Sequence, residues 1–307
     1  QALRFEHNID YIYNIGVVYN YKGLYSDALS YFEKCLTIED EHYNSIANIA
    51  VIYLKKNMPS EAKFYFRKAL NIKPDDEQNI YMLAALEGNQ EKFKAAPPSY
   101  ITDLFDQYAN TFEQHLEKIL QYKAPKIIYE TLVKFNDIEN CKNLDICDVG
   151  CGTGLMAEEL KQHSKKLIGV DLSSKMLEKA SVKKLYTDLV ESDISVYLSQ
   201  HKLEFDYIIA ADVVPYFGDI SVLLQSVFGA LKNEGYFVFS IEQCFKTNYQ
   251  LQTNGRFKHS REYIKSLSNE NMFNLKACTE RSTRKEGNNE IPCLIFVLQK
   301  QIASSIT

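Results

Sequence analysis

The chain has 307 residues, of which 46% are hydrophobic and 24% charged, and its formal net charge is −5. This composition is typical of a globular protein with room for two domains, and the acidic balance argues against a general nucleic-acid binder. No signal peptide is visible, and no apolar run approaches the roughly 20 residues that a membrane-spanning helix needs. The seven cysteines show no metal-type spacing, so we predict a cytoplasmic protein without a metal site.

The amino-terminal part of the chain contains a repeat with a period of 34 residues. Residues 30–36 and 64–70 have similar sequences, and small and aromatic residues recur at matching positions. The matching pairs are Gly16 and Ala50, Tyr19 and Tyr53, Ala28 and Ala62, Phe32 and Phe66, and Cys35 and Ala69. Small residues let paired helices approach, and aromatic residues fill the space between them. This pattern resembles the tetratricopeptide repeat.

The resemblance implies two repeats, at residues 9–42 and 43–76, and a third that begins near Glu77 and stops at Gly88. About three repeats are needed for independent stability. We therefore expect either further repeats upstream of this chain or support from a second domain or another subunit. The surface of the repeat helices would suit a peptide or subunit partner.

A proline pair, Pro97 and Pro98, follows the repeats and is expected to end the helical array. The next segment, residues 100–112, has an apolar face at helical spacing. That face consists of Leu104, Phe105, Tyr108 and Phe112. Two interpretations stay open, because such a helix either packs on a sheet or covers a ligand as a lid that excludes water.

A glycine-rich turn follows a predicted buried strand at residues 144–147 and precedes a predicted helix at residues 157–163. Such a turn lets a ligand approach the backbone closely. Asp148 lies directly before the glycines, where a carboxylate suits the ammonium and sulfonium of S-adenosylmethionine better than a pyrophosphate. The run Asp-x-Gly-x-Gly-x-Gly resembles the first motif of class I S-adenosylmethionine-dependent methyltransferases.

Later segments agree with this resemblance in order and spacing. A second predicted strand ends at Asp171, which lies 23 residues after Asp148, and Ser173 then caps a helix. Further strands are predicted at residues 189–194, 205–212 and 235–240, with a closing antiparallel hairpin at 273–284 and 291–299. The resemblance implies an α/β fold, a Rossmann-like seven-stranded methyltransferase sheet, preceded by an all-α tetratricopeptide-repeat domain.

The resemblance also implies that the cofactor is S-adenosylmethionine, or its demethylated product. Asp148 and the glycines would hold its amino-acid end, Asp171 its ribose, and Asp193 with Ile194 its adenine. The residues implied to contact the cofactor are Tyr108, Asp148, Gly150, Gly152, Asp171, Leu172, Met176, Asp193, Ile194 and Asp212. Six of them have a structural alternative: an ordinary tight turn for Gly150 and Gly152, a helix cap for Asp171, core packing for Ile194, and solvated turns for Asp193 and Asp212.

Two residues are candidates for the acceptor side. His259 precedes the predicted cap Ser260 and would serve as a base or orienting group, although a lone histidine is more often structural. Tyr216 would form part of the pocket wall. The segment 212–216 lacks the Asn/Asp-Pro-Pro-Tyr motif, which disfavours adenine and glutamine as acceptors. The absence of a double-glutamate hairpin disfavours arginine.

The whole layout resembles the bacterial tetratricopeptide-repeat methyltransferases, a resemblance that implies no particular acceptor. We predict a repeat domain at residues 1–90 and a methyltransferase domain at 98–307, with lid helices at 98–135 and a catalytic core at 140–307. Three functions stay open: methylation of a protein held by the repeats, methylation of a small molecule with the repeats used for oligomerisation, and a non-catalytic adaptor. Neither a membrane nor a nucleic acid is an expected partner.

Overall fold

The computed structural model describes residues 8–89, 92–286 and 289–302. Residues 1–7, 90–91, 287–288 and 303–307 lie outside this description. They include the predicted domain ends at 1, 90 and 307 and part of the predicted hairpin connection. The chain divides into two compact units, one of residues 1–92 with 252–255 and the other of residues 93–251 with 256–307. Every helix among the described residues is too short or too polar to cross a membrane.

The first unit is built from paired helices. They are α1 (Ile9–Tyr21), α2 (Tyr25–Ile38), α3 (Tyr43–Lys55), α4 (Pro59–Ile72) and α5 (Glu77–Glu87). The predicted repeat is visible in the packing, because α1 packs on α2 and α3 on α4. Two stacked aromatic pairs, 34 residues apart, mark the equivalent positions: Tyr19 with Tyr31 and Tyr53 with Tyr65.

The small residues of the repeat are required by this packing. A Cβ atom on Gly16 would lie 2.8 Å from the ring of Phe32, which is fully buried. Ala50 and Phe66 are buried in the same way in the second pair. The third predicted helix is confirmed as α5, which is capped by the side chain of Asp76 and ends at Gly88 with φ +76°.

The second unit is an α/β domain with three helices ahead of the sheet: α6 (Pro98–Tyr108), α7 (Phe112–Lys118) and α8 (Ala124–Asn136). Four helices lie between or after strands: α9 (Leu155–Leu160), α10 (Ser174–Lys183), α11 (Ile194–Gln200) and α12 (Ser221–Ala230). A fifth, α13 (Arg261–Glu270), precedes the last hairpin. Short 3₁₀ turns occur at Ile138–Asn140, Lys161–His163 and Val214–Tyr216.

The sheet of this unit has seven strands in the order β3-β2-β1-β4-β5-β9-β8. They are β1 (Leu144–Val149), β2 (Ser164–Asp171), β3 (Asp188–Glu191), β4 (Phe205–Ala210), β5 (Leu231–Glu242), β8 (Phe273–Glu286) and β9 (Asn289–Lys300). The first five are parallel, whereas β9 pairs antiparallel with both β5 and β8. A separate hairpin pairs β6 (Tyr249–Leu251) with β7 (Phe257–His259). The predicted fold class is confirmed.

The central strands are buried on both faces, as parallel strands between helices should be. Cys147 and Ile208 face one apolar cluster, and Ile146 and Ile209 face the other. Because β1 to β5 are parallel, their carboxyl ends meet at one edge of the sheet. Most of the predicted site residues line a cavity at that edge.

Several predicted boundaries differ from the structure. The third strand stops at Glu191, because Asp193 caps a new helix that Ile194 opens. The fifth strand is longer than predicted and runs from Leu231 to Glu242. The predicted lid face is divided between two helices, since α6 ends at Tyr108 and α7 begins at Phe112.

Candidate active site

A cavity of about 370 Å³ opens at the carboxyl edge of the parallel strands in the second unit. Three groups of residues line it. The turns after β1, β2 and β3 contribute Gly150, Gly152, Asp171, Leu172, Asp193 and Ile194. The helices ahead of the sheet contribute mostly apolar and aromatic side chains, among them Ile101, Phe105, Tyr108, Phe112 and Leu116. The third group comes mainly from the segment after β4 and from two arginines further along the chain. It includes Tyr122, Asp212, Val213, Tyr216, Phe217, Arg256 and Arg284.

The glycine turn meets two different steric demands. Gly150 has φ +65°, and a Cβ atom there would lie 2.3 Å from Val213, so any side chain would clash. Gly152 has φ +52°, but its nearest neighbour would be the Phe112 ring at 3.9 Å. The missing side chain at Gly152 therefore leaves room on the cavity side, which is what a ligand that approaches the backbone requires.

Asp171 joins the end of β2 to the glycine turn. Its carboxylate accepts hydrogen bonds from the backbone N–H of Gly152 at 2.8 Å and of Ser173 at 2.9 Å. Burial raises the pKa of Asp171, and these backbone donors oppose the rise. Each carboxylate oxygen can accept more than one hydrogen bond. Asp171 can therefore order the turn and accept from ligand hydroxyl groups at the same time.

Asp193 and Ile194 line the cavity beside Asp171. The Asp193 carboxylate accepts from the backbone N–H groups of Ser195 and Val196 at 2.9 and 3.0 Å, so it caps α11. Ile194 is 7% exposed and supplies an apolar surface at the same end. Together they offer an apolar face next to a carboxylate, which suits a flat heterocycle with an amino group.

Two residues predicted to contact the cofactor do not line the cavity. Asp148 is 1% exposed, and it accepts a hydrogen bond from the Tyr186 hydroxyl at 2.5 Å. Burial raises the pKa of Asp148 to about 7. Met176 is fully buried at the start of α10, where its backbone N–H donates to Ser173. Neither side chain is therefore exposed to the cavity.

The helices α6 and α7 supply an aromatic cover for the cavity. The Phe112 ring lies 6.1 Å from Phe105 and 5.5 Å from Tyr108, both edge-on. Polar contacts tie the cover to the sheet side, since the Ser173 hydroxyl donates to Asp106 at 2.6 Å. None of the residues of α6 is buried. Few apolar contacts therefore oppose its displacement.

We predict that ligand binding orders this cover. Addition of the demethylated cofactor should slow amide hydrogen exchange over residues 100–116 by at least about tenfold, because the ligand fills the space beneath the rings. The buried strand β4 serves as the internal reference. Unchanged protection over 100–116 would mean that α6 and α7 are ordinary packing elements.

His259 does not join the cavity. Its ring is fully buried, and its Nε2 atom lies 3.1 Å from the carbonyl oxygen of Gly218. Burial lowers the pKa of His259 to about 4, so the ring is neutral at physiological pH. His259 therefore lies outside the cavity lining as a neutral ring, and its predicted role as a base is not supported. Ser260 caps α13 as predicted, accepting from the Tyr263 N–H at 3.2 Å.

Tyr216 lines the cavity next to charged residues, of which the sequence had indicated only Asp212, as a cofactor contact. The Arg256 guanidinium donates to the Tyr216 hydroxyl at 3.2 Å, to Asp212 at 2.6 Å and to Glu242 at 2.8 Å. The Arg284 guanidinium donates to Glu242 at 2.6 Å and lies 3.5 Å from Asp212. We call Asp212, Glu242, Arg256 and Arg284 the charged wall.

Comparisons with known proteins agree with this geometry. Residues 147–239 match the methyltransferase-domain family, and residues 21–86 match the tetratricopeptide-repeat family. These matches show a methyltransferase domain preceded by tetratricopeptide repeats. The methyltransferase domain resembles the solved magnesium protoporphyrin IX methyltransferase of Synechocystis PCC 6803 at 16% identity, with a TM-score of 0.52. That likeness covers 66% of this chain and 99% of the other, and it supports the fold.

Two curated relatives resemble parts of the chain. A ubiquinone biosynthesis O-methyltransferase from Hydrogenovibrio crunogenus is 27% identical over 50% of this chain and 64% of its own length. A malonyl-[acyl-carrier protein] O-methyltransferase from Acetivibrio thermocellus is 24% identical over 38% of this chain and 42% of its own length. The chain thus matches less than two thirds of each relative.

The charged wall of the methyltransferase domain had a weak signal in the sequence. Glu242 ends β5 after a buried run, and Arg284 lies on β8, whose partner, β9, is largely buried. A charged residue in such a position usually has a partner. Which partner it has depends on the sheet order, because the four residues lie on four separate segments.

Proposed function

We propose that this chain transfers a methyl group from S-adenosylmethionine to an oxygen atom of a small-molecule acceptor. The observation that carries the proposal is a cavity whose two ends differ in chemistry. One end has the glycine turn with Asp171 and Asp193, and the other has Tyr216 with Asp212, Arg256 and Arg284 of the charged wall.

The residues at the first end fit the cofactor. The open side of Gly152 would admit its amino-acid part, Asp171 would accept from the ribose hydroxyls, and Asp193 with Ile194 would hold the adenine. Tyr108 and Leu172 would add apolar contact. When bound, S-adenosylmethionine supplies an activated methyl group. Asp148 and Met176 would support the turn and α10 from behind.

The protein's own contribution is positioning and exclusion of water. Methyl transfer to an oxygen needs the acceptor in line with the reacting bond, and holding two reactants in that geometry is worth several orders of magnitude in rate. Phe105, Tyr108 and Phe112 cover the cavity with apolar surface, which would strengthen electrostatic contacts inside it. Among the described residues, no histidine lines the cavity.

Oxygen is favoured as the acceptor atom, since the two curated relatives described above are named as O-methyltransferases. A small molecule is favoured by the cavity, because its lining is largely aromatic and aliphatic and lies beneath two helices. A protein side chain is the second candidate. The observation that favours it is the repeat unit, whose family is associated with protein contact.

The alternative of a non-catalytic adaptor is disfavoured by the intact cofactor end. Gly150, Gly152 and Asp171 are all present and mutually arranged, with Asp171 bonded to the turn. Under the proposal, the repeats contact a protein partner or another subunit. Exposed aromatic and apolar side chains such as Tyr21 and Phe64 would serve that contact.

The decisive experiment is incubation of the protein and labelled S-adenosylmethionine with lysate from its source organism, followed by separation of protein, nucleic acid and metabolites. We expect label in the metabolite fraction, and none with an Asp171→Ala variant. Label in protein would favour the second candidate. Label in nucleic acid, or in no fraction despite cofactor binding, would contradict the proposal.

A further inference from the structure

The charged wall has two positive and two negative side chains, so its formal net charge is zero. The side chains that line the cavity, however, carry more positive than negative charge. Arg256, Arg284 and Asp212 line the cavity, whereas Glu242 lies behind them with a side chain that is 4% exposed. Two cations and one anion therefore face the space at the acceptor end. Burial opposes ionisation of Glu242, but Arg256 and Arg284 outweigh it and hold its pKa below the ordinary value.

A buried set of this kind is a poor way to gain stability. Desolvation of buried ion pairs offsets most of their attraction, and apolar side chains of similar volume often serve as well or better. The Arg284 side chain is 5% exposed and that of Arg256 is 14% exposed, so both guanidinium groups carry this cost. A role in binding explains why they occur at the end of the cavity.

The wall already shows how it holds a carboxylate. One oxygen of Asp212, Oδ1, lies 2.6 Å from Arg256 and 3.5 Å from Arg284. Asp212 has φ +62°, and its backbone N–H donates to the Ser240 hydroxyl, so the backbone fixes this side chain at the cavity surface. Planar guanidinium groups match carboxylates well, because they donate parallel hydrogen bonds.

The surroundings of the wall are apolar and aromatic. Tyr216 carries the Arg256 guanidinium over its ring at 5.2 Å and meets Phe105 edge-on at 5.5 Å. Tyr122, Leu116 and Leu120 complete this part of the lining. A ligand that fits has an apolar or aromatic body and an anionic group at one end.

We propose that the methyl acceptor is a small-molecule carboxylate with an aromatic or apolar body, held at its carboxylate by Arg256 and Arg284. This inference rests on the proposed function and names its acceptor class. One carboxylate oxygen forms a bond to the methyl carbon as the carbon–sulfur bond breaks, and the bonding electron pair leaves with sulfur. The product is a neutral methyl ester. No proton moves, so the reaction requires no base.

The test uses two probes of equal size, 2-naphthoate and 2-naphthamide, in calorimetric titrations of the full chain saturated with the demethylated cofactor. We expect 2-naphthoate to bind at least about tenfold tighter, because only the acid matches the guanidinium groups. The preference should be constant from pH 6 to 9, since a carboxylate is ionised throughout that range. An equal affinity for acid and amide would overturn the inference.

A charge-balanced variant separates binding from folding. Arg284→Gln combined with Glu242→Gln removes one cation and one anion, so no buried charge is left alone. In this variant the affinity for 2-naphthoate should fall by about tenfold, to that for 2-naphthamide, while the affinity for 2-naphthamide is unchanged. Arg281→Gln, an exposed arginine on the same strand, is the matched control and should behave as the wild type. A retained preference in the double variant would overturn the role of Arg284.

The inference and the proposed function fail in different ways. Absence of cofactor binding in the first titration would defeat both. Cofactor binding with methylation of 2-naphthol but not 2-naphthoate would overturn the carboxylate and leave methyl transfer standing. Formation of methyl 2-naphthoate by the wild type, with loss in the double variant, would support the carboxylate acceptor. Methyl esters found only on protein would overturn the small-molecule assignment.

Discussion

Replacement of Asp171 by alanine is expected to weaken binding of the demethylated cofactor by at least about 100-fold. A carboxylate that accepts from two ribose hydroxyls contributes two charge-assisted hydrogen bonds, together about 3 kcal/mol or more. The substitution also removes the acceptor for the backbone N–H groups of Gly152 and Ser173, which Asp171 holds at 2.8 and 2.9 Å. Calorimetric titration of both proteins measures the difference.

Glu191→Ala is the matched control for this prediction. Glu191 is an exposed acidic residue at the end of the neighbouring strand, β3, and it does not line the cavity. It should bind the cofactor as the wild type does. Equal affinity in the Asp171→Ala variant would remove the ribose assignment, and circular dichroism would show whether the variant is folded.

The cofactor end could be predicted from the sequence because its information is local. A strand, three glycines and a helix lie within a single segment, and Asp171 follows at the end of the next strand. Parallel strands bring such ends to one edge of a sheet whatever the rest of the fold does. Gly150, Gly152, Asp171, Leu172, Asp193 and Ile194 accordingly line one cavity.

The direction of a side chain was less predictable than its position. Asp148 lies near the end of β1, just before the glycine turn, yet its carboxylate points into the interior and accepts a hydrogen bond from Tyr186. Tyr186 lies 38 residues further along the chain, in the connection before β3. Nothing near Asp148 in the sequence indicates that a tyrosine will take its hydrogen bond.

The acceptor end could not be predicted, because it is assembled by tertiary structure. Asp212 follows β4 and Glu242 ends the neighbouring β5, while Arg256 lies in the connection of the small hairpin and Arg284 on the outermost strand. Their contacts span up to 72 residues of sequence. The motif-based choice of His259 was drawn from a local pattern, and in the fold that residue packs beneath the turn at Gly218.

Replacement of Asp148 by asparagine is expected to stabilise the protein at pH 8 by about 2–4 kcal/mol. Burial, supported by the charge of Asp171 and opposed by the Tyr186 hydrogen bond, raises the pKa of Asp148 from 3.8 to about 7. The folded chain therefore binds a proton that the unfolded chain has lost between these pH values. Its stability falls as pH rises through that window, and the full cost is present above pH 7.

The measurement is the denaturant midpoint of each protein at pH 4.5 and pH 8. At pH 4.5 the folded wild type holds Asp148 largely protonated, so the two midpoints should lie much closer together than at pH 8, where the variant should unfold at higher denaturant. Asp188→Asn replaces an exposed carboxylate on β3 and should follow the wild type at both pH values. If the midpoints of the wild type and the Asp148→Asn variant differ by the same amount at both pH values, ionisation of Asp148 does not destabilise the fold.

The cofactor affinity of the Asp148→Asn variant tests whether the buried charge that lowers stability also contributes to ligand binding. The amide oxygen of asparagine can still accept from Tyr186, so the turn should keep its shape. If the negative charge attracts a cationic ligand through the turn, Asp148→Asn will be more stable and yet bind S-adenosylmethionine several-fold more weakly. Stability would then have been lost at a site where charge is needed, as is common in binding sites. Unchanged affinity would restrict Asp148 to holding Tyr186 and the strand end in place.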